Sequence, residues 1–162
     1  MIKYVDTLVG FREVPDEISL CINISNCPCK CDECHSAYLA EDIGEELTNK
    51  ELHNLIMNNN GITCICFMGG DSDPKEINSL AELVRNSYPE LKIAWYSGRA
   101  YISPGIILEN FDFIKIGPYL KDNGGLDNPN TNQRMYEIRR FSQNTDKLGL
   151  FDITNKFWKN ES

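Results

Sequence analysis

Long apolar runs are missing from this chain. No stretch approaches the roughly 20 residues that a helix needs to cross a bilayer. The first ten residues, MIKYVDTLVG, lack the apolar core of a secretion signal. Basic residues are the minority: 16 Lys and Arg stand against 24 Asp and Glu, a formal charge of −8. That balance argues against a nucleic-acid backbone or an anionic membrane as the main partner. Internal repeats, low-complexity tracts and a domain boundary are also absent. With 41% apolar residues and charges of both signs, collagen-like, coiled-coil and disordered chains are excluded. What remains is one domain of 162 residues, large enough to hold a core without a staple.

Cysteine is what the chain does have. There are seven, and four of them (Cys27, Cys29, Cys31 and Cys34) fall within eight residues. An odd count with no secretion signal fits a reducing compartment, and the expectation is cytoplasmic. Neighbouring cysteines this close compete for the geometry a disulfide requires, so the segment suits a metal better. Within it, Cys27, Cys31 and Cys34 form C-x3-C-x2-C. Thiolates select iron–sulfur clusters, zinc or Cu(I). Three thiolates on a [4Fe–4S] cube leave the fourth iron open. Structural zinc sites instead pair two knuckles separated by a dozen or more residues. Cys21, Cys64 and Cys66 sit inside apolar runs and read as small packing residues.

Apolar runs at 18–24, 62–68, 91–96, 111–116 and 147–153 read as strands. Between them lie helix starts. Thr48 with Glu51 is a capping box, and Asp73 with Pro74 and Glu76 is a second. Ile77, Leu80, Leu83 and Val84 follow on one face, and Pro89 ends the pattern. The segment 131–141 fits helix or strand equally. Alternating strands and helices predict an α/β fold: an open sheet or partial (βα) barrel of about five mostly parallel strands. Sites in such sheets lie beyond the carboxyl ends of the strands. The cysteine segment, Gly69-Gly70-Asp71, Ser97-Gly98 and Gly117-Pro118 are therefore expected on one rim. The Asn-, Asp- and Gly-rich stretch 121–130 reads as a long loop of the kind that often serves a site.

Taken in order, these features carry a resemblance. The cysteine motif runs into Cys34-His35-Ser36. Met68-Gly69-Gly70-Asp71, Tyr96-Ser97-Gly98, Gly117-Pro118-Tyr119 and Thr131-Asn132-Gln133-Arg134 follow. The set resembles the radical S-adenosylmethionine enzymes, and among them the activating proteins of anaerobic ribonucleoside-triphosphate reductase. The resemblance spans about residues 5–140. Three features depart from the pattern, one of them Cys29 inside the cysteine motif. Ser72 and Asp73 follow Gly-Gly-Asp where the family has proline, and Glu33 stands where many members have an aromatic residue.

The resemblance implies a single truncated radical S-adenosylmethionine domain over 1–162. It implies one [4Fe–4S] cluster per chain on Cys27, Cys31 and Cys34, which are also the catalytic residues. S-adenosylmethionine would occupy the open iron, with Glu33, Cys34, His35, Gly69, Gly70, Asp71 and Ser97 as its binding residues. Asp73 is left to cap the helix. The implied partners are the anaerobic reductase, which receives a glycyl radical, and a flavodoxin- or ferredoxin-type electron donor. Neither nucleic acid nor membrane is among them. Competing readings are another radical S-adenosylmethionine activase or small-molecule modifying enzyme, and a non-enzymatic zinc or iron–sulfur module. Cys29 and Asn132-Gln133-Arg134 have no fixed role.

Overall fold

Four of the apolar runs lie side by side and pair in parallel. In chain order the strands are β1 (Lys3–Gly10), β2 (Ser19–Ile24), β3 (Glu45–Glu46), β4 (Cys64–Met68), β5 (Lys92–Tyr96), β6 (Phe113–Ile116), β7 (Arg134–Arg140) and β8 (Leu148–Asp152). The computed structural model describes residues 1–27, 41–140 and 147–158. Its eight strands form one sheet in the order β3-β1-β2-β4-β5-β6-β7-β8. The pairs β2–β4, β4–β5 and β5–β6 are parallel; β1–β2, β1–β3, β6–β7 and β7–β8 are antiparallel.

This differs from an expected sheet of about five mostly parallel strands. The parallel centre matches the apolar runs because it is buried on both faces. Of the antiparallel flanks, β8 coincides with the run at 147–153, whereas β1 and β7 lack that signature. In β1, Leu8 and Val9 are exposed, and in β7 four of seven residues are charged.

The helices α1 (Asn49–Met57) and α2 (Pro74–Ser87) begin where the local signals place them. Thr48 Oγ accepts the Glu51 N–H at 3.1 Å, and Asp73 Oδ1 accepts the Glu76 N–H at 3.3 Å. Each such cap satisfies a donor that the first turn leaves free. Between β5 and β6 there is no α-helix, only a 3-10 turn at Leu108–Asn110. Asn78 of α2 holds this connection by accepting the Ile107 N–H at 2.8 Å.

The two faces of the sheet are covered differently. On one, Leu20, Ile22, Ile65, Phe67, Ile93 and Trp95 pack against Leu52, Ile77, Leu80 and Val84 of the helices. On the other, Cys21, Cys64, Cys66, Ala94, Phe113 and Met135 meet side chains from connecting segments: Val14, Leu126 and Ile153. This second face carries small side chains at its centre, and among the described residues it is covered by connecting segments and by Phe157 of the 3-10 turn Thr154–Phe157, with no α-helix over it. Its upper part, at the carboxyl ends of the parallel strands, stays open as a cleft.

Candidate active site

The parallel strands end on the same rim, and the segments that follow them are bonded to one another. Gly69 follows β4; its N–H donates to Tyr96 O at 3.1 Å, and its carbonyl accepts Trp95 Nε1–H at 2.7 Å. Both Gly69 (φ +113°) and Gly70 (φ +98°) adopt the left-handed region that excludes side chains. A Cβ on Gly70 would also meet Ile77 Cδ1 at 2.5 Å. These glycines are thus set by the turn and by the approach of α2.

Asp71 is 4% exposed. Its carboxylate accepts Ser97 Oγ–H at 2.6 Å and the Gly98 N–H at 2.8 Å. Ser97, 1% exposed, receives the Arg99 N–H on the same hydroxyl at 3.1 Å. The two residues expected on the cofactor therefore hold each other and lock the β4 loop to the β5 loop. Asp73, as the N-cap of α2, also receives the amino terminus of Met1 at 3.4 Å.

Lys115 of β6 was not foreseen as a site residue. It is buried, and its ammonium donates to Ser97 O at 3.1 Å and to Gly117 O at 2.9 Å. Nζ also lies 5.7 Å from the centre of the Tyr96 ring. The signal was present as a lone lysine inside the apolar run FIKI. A buried ammonium needs acceptors, and here the carbonyls of two rim loops provide them. Gly117 (φ +105°) closes the set by donating to Arg99 O at 2.6 Å.

Cys27 lies just beyond β2 on this rim. Ser25 N–H donates to Lys3 O at 3.0 Å, and Asn26 N–H donates to Glu41 O at 2.9 Å. The chain thus leaves at Cys27 and is pinned again at Glu41. Cys29, Cys31, Glu33, Cys34 and His35 lie outside the described residues.

Cys27 is half-buried, whereas Cys21, Cys64 and Cys66 are buried. Burial pushes the Cys64 thiol up to about 12. Burial, with Cys21 and Cys64 beside it, holds Cys66 well above the ordinary thiol range. Thiolates, not thiols, ligate metals. Among the described residues no three His, Cys, Asp or Glu side chains converge as a metal site. Among the described cysteines, Cys27 is therefore the one that is not held as a buried thiol in the sheet.

An open cleft of about 790 Å³ runs across the carboxyl ends of β4, β5 and β6. Met68, Tyr96 and Lys115 line it in register, one from each successive strand. Gln133, just before β7, and the loop residues Tyr119 and Asp127 complete it. The long loop is knit to itself by a Leu120–Gly124 bridge, by Asn123 Nδ2–H donating to Asn130 O, and by Thr131 Oγ–H donating to Gly124 O. Leu126 anchors it in the core beneath. Tyr96 donates its hydroxyl to Glu13 O, and burial holds the phenol well above its ordinary value.

A family model described as "4Fe-4S single cluster domain" matches residues 16–133. No curated protein and no solved structure matches the chain. No helix among the described residues is long and apolar enough to cross a membrane.

Proposed function

The chain belongs to the 4Fe-4S single cluster domain family, and from that premise we propose that it is a radical S-adenosylmethionine activase. On this reading it acts on an anaerobic ribonucleoside-triphosphate reductase and leaves a glycyl radical there. The sheet is then a truncated (βα) barrel, one domain over the whole chain. The observation that carries the reading is the position of Cys27. It follows the first parallel strand on the rim where Gly69-Gly70-Asp71, Ser97-Gly98 and Gly117 are bonded together.

Cys27, Cys31 and Cys34 would hold one cluster and leave one iron open. A cluster that only passes electrons usually takes a fourth cysteine from a distance. Cys21, Cys64 and Cys66 are buried in the sheet, which supports a cluster without a fourth, distant cysteine. When bound, cluster and S-adenosylmethionine supply the chemistry: an electron from a flavodoxin- or ferredoxin-type donor cleaves the sulfonium, and a glycine hydrogen atom is taken up.

The chain's own residues orient and shield. Gly69 and Gly70 present backbone without side chains on the rim beside Cys27. Asp71 binds the Ser97 hydroxyl and the Gly98 N–H across the two rim loops, and Lys115 joins the Ser97 carbonyl to that of Gly117. Glu33, Cys34 and His35, next in the cysteine segment, stand beside the same ligand on this reading.

The test is anaerobic. The protein is loaded with iron and sulfide and reduced, and electron paramagnetic resonance is recorded with and without S-adenosylmethionine. The expected result is a reduced-cluster signal that changes on adding the cofactor, with 5′-deoxyadenosine formed. Stoichiometric zinc without a cluster, or a cluster indifferent to S-adenosylmethionine, would return the chain to a metal-binding or electron-transfer module.

A further inference from the structure

We propose that Asn26 is a positioning residue for the metal centre: its left-handed backbone turns Cys27 out of the sheet and closes the root of the cysteine segment before any metal arrives. The inference rests on Cys27 as a cluster ligand and not on the cleavage of S-adenosylmethionine.

Asn26 has φ +59°. Among the described residues, Asp16 is the only other one with a side chain and a positive φ. Such a backbone is costly for any side chain and least so for Asn and Asp. It also cannot continue a strand, so β2 stops and the chain turns away from the sheet one residue before Cys27. Asn26 is exposed, so packing does not dictate its side chain. What the position asks for is a backbone that tolerates the left-handed turn.

The turn closes a neck. Asn26 N–H donates to Glu41 O at 2.9 Å, which joins the residue before Cys27 to the point where the chain returns to β1. Both arms of the neck rest on Lys3 of that strand. On the outgoing arm, Lys3 O accepts the Ser25 N–H at 3.0 Å and Ser25 Oγ–H at 3.3 Å. On the returning arm, Lys3 Nζ lies 3.1 Å from Asp42 Oδ1. Gly44 then passes so close to β1 that an added Cβ would stand 2.1 Å from Tyr4 O, and its φ is +96°. The returning arm can run there only as glycine.

Bringing the ends of a segment together costs entropy. Here the neck meets that cost when the chain folds, so less freedom is lost when thiolates gather on a metal. A residue that resists the left-handed turn shifts the cost. The neck then opens in the metal-free protein, and metal binding has to close it. The penalty appears as weaker metal retention, because whatever binds only the closed form must first draw the chain into it.

The test is a graded series. N26G, N26A and N26V rank the tolerance of a left-handed backbone, and G44A strains the other arm. Each full-length protein is loaded with iron and sulfide and held anaerobically under a fixed excess of a ferrous chelator, and the iron retained is measured. In the metal-free proteins, hydrogen exchange of the residue 26 amide reports the neck, and the urea midpoint reports the fold. The expected result is slow exchange of that amide and equal iron retention in the unmodified protein and N26G. N26A and then N26V lose both, N26V holding iron about tenfold less tightly, the equivalent of the left-handed penalty. G44A is expected to act in the same direction, so it reports even if N26V folds poorly. Loss of iron in N26G would show that the side chain matters and not the backbone. A lower urea midpoint in N26V and G44A with unchanged iron retention would show a turn that serves the fold alone. Fast exchange at residue 26 in the unmodified metal-free protein would show that the neck is not preformed. Each of these overturns the assignment. A protein that takes up no iron sinks it together with the cluster ligands, whereas a cluster indifferent to S-adenosylmethionine sinks the activase reading alone.

Discussion

Ser97 donates its hydroxyl to Asp71 at 2.6 Å across two loops that are 26 residues apart in sequence, and both side chains are buried. Gly98 N–H adds the second carboxylate oxygen at 2.8 Å. Asp71→Asn puts an NH2 group where one of these donors points, so one contact becomes a clash of donors. The expected cost is about 1–3 kcal/mol, read as a lower urea midpoint with unchanged slope. Ser97→Ala is expected to cost less. The double variant is expected to fall short of the sum, because the two residues share one bond. Strict additivity would show that they do not act as a pair.

The cysteines divide by reactivity. In the metal-free protein at pH 8, iodoacetamide is expected to modify Cys27 while Cys21, Cys64 and Cys66 stay intact until urea is added. Mass spectrometry of the digest checks this. Burial holds Cys64 near 12 and Cys66 well above its ordinary value. Raising the pH to 10 therefore leaves Cys64 a thiol when folded, whereas an unfolded thiol ionises, and Cys66 is shifted in the same direction. The sign follows. A folded value above the unfolded one contributes stability that is complete below about pH 9 and fades as pH climbs toward 12. Rapid modification of Cys64 or Cys66 in the folded chain at pH 8 would contradict the burial argument.

The helix starts were legible because a cap is local chemistry: Thr48 and Asp73 each bond a residue three positions on. The central strands were legible because burial on both faces leaves an unbroken apolar run, as in CICFM of β4. β1 carries no such mark, since it lies near an edge of the sheet with Leu8, Val9 and Asp6 turned to solvent. β7 is masked by its arginines, and β3 is only two residues long. At the site, the rim loops could be anticipated from strand ends. The role of Lys115 could not, because it depends on which strands lie side by side. Asp71 and Ser97 matched a motif, but their mutual bond became visible only when β4 and β5 were placed in register.

Two glycines share a backbone conformation but not an environment. Gly61 (φ +88°) has nothing within 4 Å of an added Cβ, whereas Gly70 (φ +98°) would place one 2.5 Å from Ile77 Cδ1. Gly61→Ala is expected to cost only the left-handed penalty of about 1–2 kcal/mol. Gly70→Ala adds overpacking against α2, on the order of 1–3 kcal/mol more. Thermal unfolding of the two variants isolates the packing component. Equal melting temperatures would show that α2 moves aside freely, and that Gly70 is needed for its backbone alone.

Tyr4 joins β1 to α1 by donating its hydroxyl to Glu51 Oε1 at 3.0 Å. Burial first, then this bond, then the charges of Glu51 and Glu45 push the phenol up to about 12. The ordinary value is near 10, so the protonated form is favoured in the folded state. The stability this confers is complete below about pH 10 and is lost as pH rises from 10 to 12. Tyr4→Phe removes the titrating group, so its loss of stability across that window is expected to be shallower than that of the unmodified protein. Glu51→Gln keeps an acceptor but removes the charge, and is expected to bring the phenol part of the way back. Tyrosinate absorbance against pH, differenced between the unmodified protein and Tyr4→Phe, isolates this one phenol among seven tyrosines. A difference curve centred near 10 would mean that Glu51 does not hold the hydroxyl in solution, and that the β1–α1 contact is made by packing alone.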